Sequence, residues 1–318
     1  MHKEPLFLTP AFQERIWGGN KLKTMFDYPI PSNETGEAWV ISAHENGPSL
    51  VKSGDLTGQT LTEVWENHPE YFNTEHTHEK SYPLLVKILD ANKDLSVQVH
   101  PDDTYANEVE GVPYGKTECW YVLEADPGAE IVFGHHAASQ EAFRELATNG
   151  KWDQLLRYVP VKKGDFIYVP SGSIHAIGAG IVILETQQSS DVTYRVYDYD
   201  RKDAAGNTRE LHLDKSIDVT TAPHQNPKLN EVQTQIGDLL IKQLVKEKYF
   251  TVSEWTLDGI ANLHQDHDFL QVSVIDGRAT LTVEDTMYTI EKGTHFILPY
   301  QIGDYQLEGK ATFIVSHT

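Results

Sequence analysis

Cysteine is almost missing from this chain, with one residue, Cys119, among 318. A lone thiol excludes an internal disulfide framework and fits a reducing compartment, so the cytoplasm is the expected location. Long apolar runs are missing too. No stretch approaches the roughly 20 residues that a membrane-spanning helix needs, and the opening MHKEPLFLTP has no apolar segment of the kind that marks a secretory signal. Positive charge is scarce: 26 lysines and arginines stand against 47 aspartates and glutamates, for a formal net charge of −21. Such a field opposes nucleic acid and anionic membrane surfaces, so neither is an expected partner. An anionic small molecule would need a local pocket of Lys and Arg.

What is present is β pattern. From Tyr82 onward, PLLVKILD, DLSVQVH, CWYVLEA, EIVFGHH, DFIYVP, GIVILET and VTYRVYDYD are short branched or aromatic runs separated by turn residues. LLIKQLV, FTVSEWTL, LQVSVIDG, ATLTVED, HFILPY and ATFIVSH continue it to the end. Regular short strands favour sandwiches or barrels over a helix-wrapped parallel sheet. The opening segment through YPIPSNETGEAWV reads as Gly- and Pro-rich loop, and LTEVWENHPEYF as a short helix. SQEAFRELATNGKWDQLLRYV reads as one or two helices near 139–158, with Ser139 as N-cap. With 39% hydrophobic residues the length allows two domains, and the polar stretch TAPHQNPKLNE sets their boundary, giving 1–228 and 229–318. An internal echo supports duplication: Gly164-Asp-Phe-Ile-Tyr-Val-Pro170 resembles Gly293-Thr-His-Phe-Ile-Leu-Pro299, and in step His175 falls opposite Asp304.

Four residues carry a metal-binding pattern. Gln98 and His100 stand two apart in a strand run and so share a face; Glu118 opens a second run, and His175 follows a Pro-Ser-Gly turn. An amide oxygen, two imidazoles and one carboxylate suit zinc or another borderline divalent ion, one per chain, and leave it with residual positive charge. Lys116 has the parity of Glu118. Arg195 alternates with Thr193 and Tyr197, and Lys87 lies within an apolar strand. His76, His78, His135, His136, His264 and His267 lack this pattern and are expected to be non-ligands; Cys119, opposite in parity to Glu118, is expected to pack into the sheet.

Gly164-x5-Pro170-x-Gly172-x2-His175 resembles the second motif of the cupin superfamily, with Ala179 where an Asn is usual. The first motif is partly kept, with Gln98 in place of its first histidine. YPLLVKILDANKDLSVQVHPDD, GKTECWYVL, VPSGSIHAI and LETQQSSDVTYRVYD resemble type I mannose-6-phosphate isomerases, and TPAFQERIWGGNKL the short Gram-positive form. The resemblance implies two cupin-like jelly-roll units, the second degenerate and metal-free. It also implies a zinc-dependent aldose–ketose isomerase acting on a phosphorylated hexose, as a monomer or weak homo-oligomer. By the same resemblance Arg195, Lys116, Glu185 and Asp191 are catalytic candidates, and Trp17, Glu37, Lys87 and Ser96 substrate-binding ones. Val192 replaces the family's Asn after Asp191. A cupin oxygenase and a non-catalytic sugar-binding cupin are the alternatives; Gln98 argues against the first, and Lys116, Arg195 and Glu185 beside the ligands against the second.

Overall fold

The structure is a computed structural model and describes residues 4–73, 81–202 and 205–318. Two antiparallel sheets pack face to face in the first two thirds of the chain. One runs in the order Phe166–Val169, Glu118–Ala125, Ile181–Gln188, Leu84–Ala91, Thr35–Ile41, Ala11–Gly19. The other runs Tyr194–Tyr197, Val97–Val99, His175–Ile177, Glu130–His135, Leu156–Pro160. Their inner faces share a core that includes Leu89, Trp120 and Ile183 from the first and Ile131, Phe133 and Ile177 from the second. The ladders do not close into one hydrogen-bonded barrel; the unit is a two-sheet sandwich of jelly-roll type.

Thr35–Ile41 and Ala11–Gly19 replace the loop expected at the start. Every residue of Thr35–Ile41 is buried, because burial on both faces overrides weak local propensity at Gly36 and Glu37. The helical readings fall on Leu61–Asn67, closed by a Thr60/Glu63 capping box, and on Gln140–Thr148, where the Ser139 hydroxyl accepts from the Ala142 N–H. LRYV is a strand, and the short helix Leu213–Val219 has no counterpart among the sequence expectations.

The remainder gives seven strands of a nine-stranded sheet built around three 15-residue strands, Thr251–Gln265, Phe269–Val283 and Gly303–His317, and Leu6–Thr9 and Leu50–Val51 complete it. Runs that read as separate in sequence are continuous here, because glycines bend them without breaking the ladder. Gly259 and Gly309 stand directly opposite one another at φ 140° and 142°, a region that favours glycine. Leu6–Thr9 pairs with His295–Pro299, so the start of the chain is stitched into this sheet.

Polar contacts also tie the halves together. Gln271 donates to the Tyr82 hydroxyl at 2.7 Å, and Tyr121 donates to Glu254. His295 is buried between the Tyr28 hydroxyl, 2.6 Å from Nε2, and Ser273 Oγ, 2.8 Å from Nδ1. Burial pushes its pKa down to about 3, so the folded ring is neutral. An unfolded histidine takes a proton near pH 6.5, so the stability this site contributes is complete above that pH. It is lost as pH falls toward 3, at up to about 1.4 kcal/mol per unit. Urea midpoints at pH 7 and pH 5 should therefore move apart less in His295→Gln than in the parent protein; an equal shift in both contradicts this assignment.

Candidate metal centre and cleft

The two sheets meet over rows of functional side chains. Across the five-stranded sheet Arg195, Gln98 and His175 stand directly opposite one another on three neighbouring strands. Across the six-stranded sheet Trp120, Glu185, Lys87 and Trp39 form the facing row. Glu118 and Glu37, two residues before the tryptophans, share their face. His100 lies just beyond Val97–Val99. The sandwich thus brings His100, Glu118 and His175 together as the one group of three metal-competent carboxylate or imidazole side chains among the described residues.

The local hydrogen bonds prepare these rings. His100 Nδ1 is 2.9 Å from the Val192 carbonyl and His175 Nδ1 is 2.8 Å from the Ser173 carbonyl. Each Nδ1–H therefore donates to backbone, which leaves the Nε2 lone pair facing inward, the tautomer a metal ligand needs. Glu118 Oε1 lies 3.3 Å from His175 Nε2 and Oε2 lies 3.5 Å from His100 Nε2. Trp120 Nε1 donates to Glu118 Oε1 at 3.0 Å and to Glu185 Oε2 at 3.1 Å. His100 Nε2 and Glu118 Oε2 are fully buried without a hydrogen-bond partner, although Lys116 Nζ lies 3.1 Å from that oxygen. Buried polar atoms are rarely left so. Two aimed imidazole lone pairs and a buried carboxylate between them fit a divalent cation. Gln98 is beside them, its amide nitrogen 3.4 Å from His175 Nε2; a half-turn of that amide presents its oxygen instead.

Electrostatics agree with the geometry. Burial lowers both histidines, His100 to about 3, and Lys116 lowers them further against the pull of Glu118. Burial alone would raise Glu118, but Lys116 and the two imidazoles outweigh it and hold the carboxylate well below the usual range. Glu185 behaves oppositely: burial and the neighbouring Glu118 push it up to about 7, against Lys116 and Lys87. Two carboxylates on adjacent strands are thereby held in different protonation tendencies. Burial lowers Lys87, which sits 3.9 Å from both Glu37 and Glu185 and 4.5 Å from the Trp39 ring centroid.

Above these residues opens a cleft of about 550 Å³, within the 300–1,000 Å³ usual for small-molecule sites. Trp17, Glu37, Lys87, Ser96, Gln98, Lys116, Glu185, Asp191 and Arg195 all line it, while His100, Glu118 and His175, at most 1% exposed, lie behind Gln98 and Lys116. All twelve residues selected from sequence therefore gather around one space. Two details differ. A bulge after Arg195 breaks the expected alternation, so Tyr197 stacks on Trp152 while Arg195 keeps the cleft. Asp191 turns from Arg195 toward the opposite rim, where Asn46 donates to it at 2.6 Å; His44 holds its pKa down to about 2.

Sequence reasoning missed Trp39 and Trp120, although each shares parity with a selected glutamate two residues earlier. It also missed Arg15, whose Nε is 3.1 Å from Glu37, and Asn46 and Arg209 on the rim, which lie in irregular segments with no periodic signal. Among the other histidines, His135 is engaged by the Thr221 carbonyl and the Ala137 N–H, His264 pairs with Asp304, and His267 stacks on His317. His136 is exposed, and His76 and His78 lie outside the described residues. Cys119 is buried in the core on the far side of the sheet from Glu118.

Comparison with known proteins gives one consistent answer. The family description "Phosphomannose isomerase type I, catalytic domain" matches residues 6–141, and "Mannose-6-phosphate isomerase, cupin domain" matches residues 240–318. The chain is 51% identical to mannose-6-phosphate isomerase ManA of Bacillus subtilis, with 100% of each covered. It is 50% identical to the mannose-6-phosphate isomerase of Streptococcus mutans, with 99% of this chain and 98% of that one covered. The crystal structure of a mannose 6-phosphate isomerase from Bacillus subtilis superposes with a TM-score of 0.97 at 47% identity, over 99% of this chain and 100% of the other.

Proposed function

The chain belongs to the type I phosphomannose isomerase family, and on that premise we propose that it interconverts mannose 6-phosphate and fructose 6-phosphate around a zinc ion. The observation that carries this reading is the pair of imidazoles and the carboxylate aimed at one point beneath a cleft that also presents Lys116, Glu185 and Arg195. Gln98, His100, Glu118 and His175 would hold the ion. When bound, it would supply fixed positive charge where the sugar's C1 and C2 oxygens become negative.

The isomerisation moves a proton between C2 and C1 and redistributes protons on the two oxygens. Glu185, held near neutrality by burial, stands on the six-stranded side as the group to take and return a proton, while Lys116, which burial would lower but Glu118 raises, is an ammonium that donates to the oxygens. Arg195, directly across from Gln98, offers a guanidinium to the sugar oxygens nearest the ion. Farther out, Arg209 faces the cleft while both it and Arg201 are forked onto the buried Asp198. Arg195, Arg201 and Arg209 stand against Asp198 and Glu210, which leaves an excess of positive charge at this end, in a chain whose net charge is −21. At the inner end each cation already has a carboxylate within 3.9 Å, Arg15 and Lys87 at Glu37 and Lys116 at Glu118. The phosphate therefore belongs at the arginine end. A single buried thiol suits a reducing compartment such as the cytoplasm, the location this reading assigns.

Incubating the purified protein with mannose 6-phosphate should yield fructose 6-phosphate, followed by a coupled assay or by carbon-13 NMR. Oxygen uptake by iron-loaded protein without isomerisation would instead favour an oxygenase, and saturable binding without turnover a sugar-binding cupin.

A further inference from the structure

Lys116 and Glu118 sit on a segment, Gly115 to Glu118, that precedes or just enters its strand, yet three of its backbone N–H groups and one carbonyl are fixed from outside. Gly115 N–H donates to Asp103 Oδ1 at 2.9 Å, and Lys116 N–H donates to the Pro101 carbonyl at 3.0 Å. The Gln188 side-chain oxygen accepts from Thr117 N–H at 2.9 Å, while Gln188 N–H donates to the Thr117 carbonyl at 3.1 Å. Gln188 Nε2 then reaches Asp103 Oδ1 at 2.8 Å, so one carboxylate oxygen ties both clamps together. Gly115 is pressed against the chain that follows His100: a Cβ there would come within 2.4 Å of the Asp102 carbonyl carbon.

The outer end of this bracket belongs to the C-terminal half. On the turn between strands Leu239–Lys246 and Thr251–Gln265, Lys248 Nζ lies 3.5 Å from Asp103 Oδ2 and donates to the Tyr249 hydroxyl at 3.1 Å, and that hydroxyl is close enough to Asp103 to help hold its carboxyl below the usual range. Neither Asp103, Gln188 nor Tyr249 lines the cleft. We propose that Asp103 and Gln188 are positioning residues that set the reach of Lys116 into the cleft, with Tyr249 holding Asp103 from the other half. The proposal rests on the isomerase reading, since it gives Lys116 a place in the reaction. It also gives the C-terminal half a part in turnover although it contributes no residue to the cleft.

A 1 Å displacement of a reacting group can cost about 10²-fold in rate. Asp103→Ala should therefore lower kcat by about tenfold or more, with KM for mannose 6-phosphate within about twofold and metal content unchanged. Asp103→Asn keeps an oxygen for both Gly115 and Gln188 and should recover most of the loss, which a general destabilisation would not produce. The proposal is overturned if metal-replete Asp103→Ala turns over like the parent, if kcat falls only in step with metal content, or if Asn is no better than Ala. Should Asp103→Ala not fold, Tyr249→Phe on the surface turn tests the outer end: a kcat lowered twofold or more at constant KM and metal supports the bracket, and parental kcat overturns it. The parent protein runs in the same assay. No isomerisation there defeats the functional reading itself, whereas an active parent with unaffected variants defeats only the positioning.

Discussion

His175→Ala should cost the protein its metal and about 10³-fold or more of its isomerase rate, because several kcal/mol of charge stabilisation leaves with the ion. The ring's Nε2 faces Glu118 at 3.3 Å while its Nδ1–H is spent on the Ser173 carbonyl, so no other atom of this side chain can take its place. His175 is a cleaner test than Glu118, whose removal would also strand the buried Lys116 ammonium without its nearest anion. Metal analysis and turnover should fall together. A variant that keeps a full complement of metal, or that turns over at parental rate without it, would contradict the assignment.

Arg195→Ala should keep its metal yet lose about 10²–10³-fold in kcat/KM, the scale seen when one preorganised donor to developing charge is removed. Arg195 is already half committed: Nη1 donates to the Glu210 carbonyl at 2.7 Å, and its backbone N–H to His212 Nδ1 at 3.0 Å. Its Nε is buried without a partner, which leaves one edge of the fork free beside Gln98. Arg195→Lys should recover little, because an ammonium cannot hold the Glu210 carbonyl and present a second donor in the same plane. Parental kcat/KM in the alanine variant would remove Arg195 from the reaction.

Much of the site was legible in sequence because strand parity is a strong rule. Glu118 with Lys116 could be assigned to one face before any fold was known. Parity fails where the backbone departs from regular pleating, as at the bulge that sends Tyr197 onto Trp152 while Arg195 stays in the cleft. It also says nothing of which strands become neighbours: Trp39 reaches Lys87 from the next strand of the same sheet, and Asn46 reaches Asp191 from the opposite rim. The first strands of the six-stranded sheet were hidden for a related reason. Thr35–Ile41 has a Gly and a Glu in its first half and is held by burial rather than propensity. In the C-terminal half the strand runs could be read but their lengths could not, since glycines at 259, 277 and 309 look like turns and act as bends.

The measurement that bears most directly on a metal-centred isomerase is a titration of verified metal-free protein with Zn²⁺, following mannose 6-phosphate turnover and bound metal together. Activity should start from near zero, rise in proportion to bound zinc and level off at one ion per chain. Full activity in the metal-free protein, or zinc binding at that site with no gain in turnover, would contradict it.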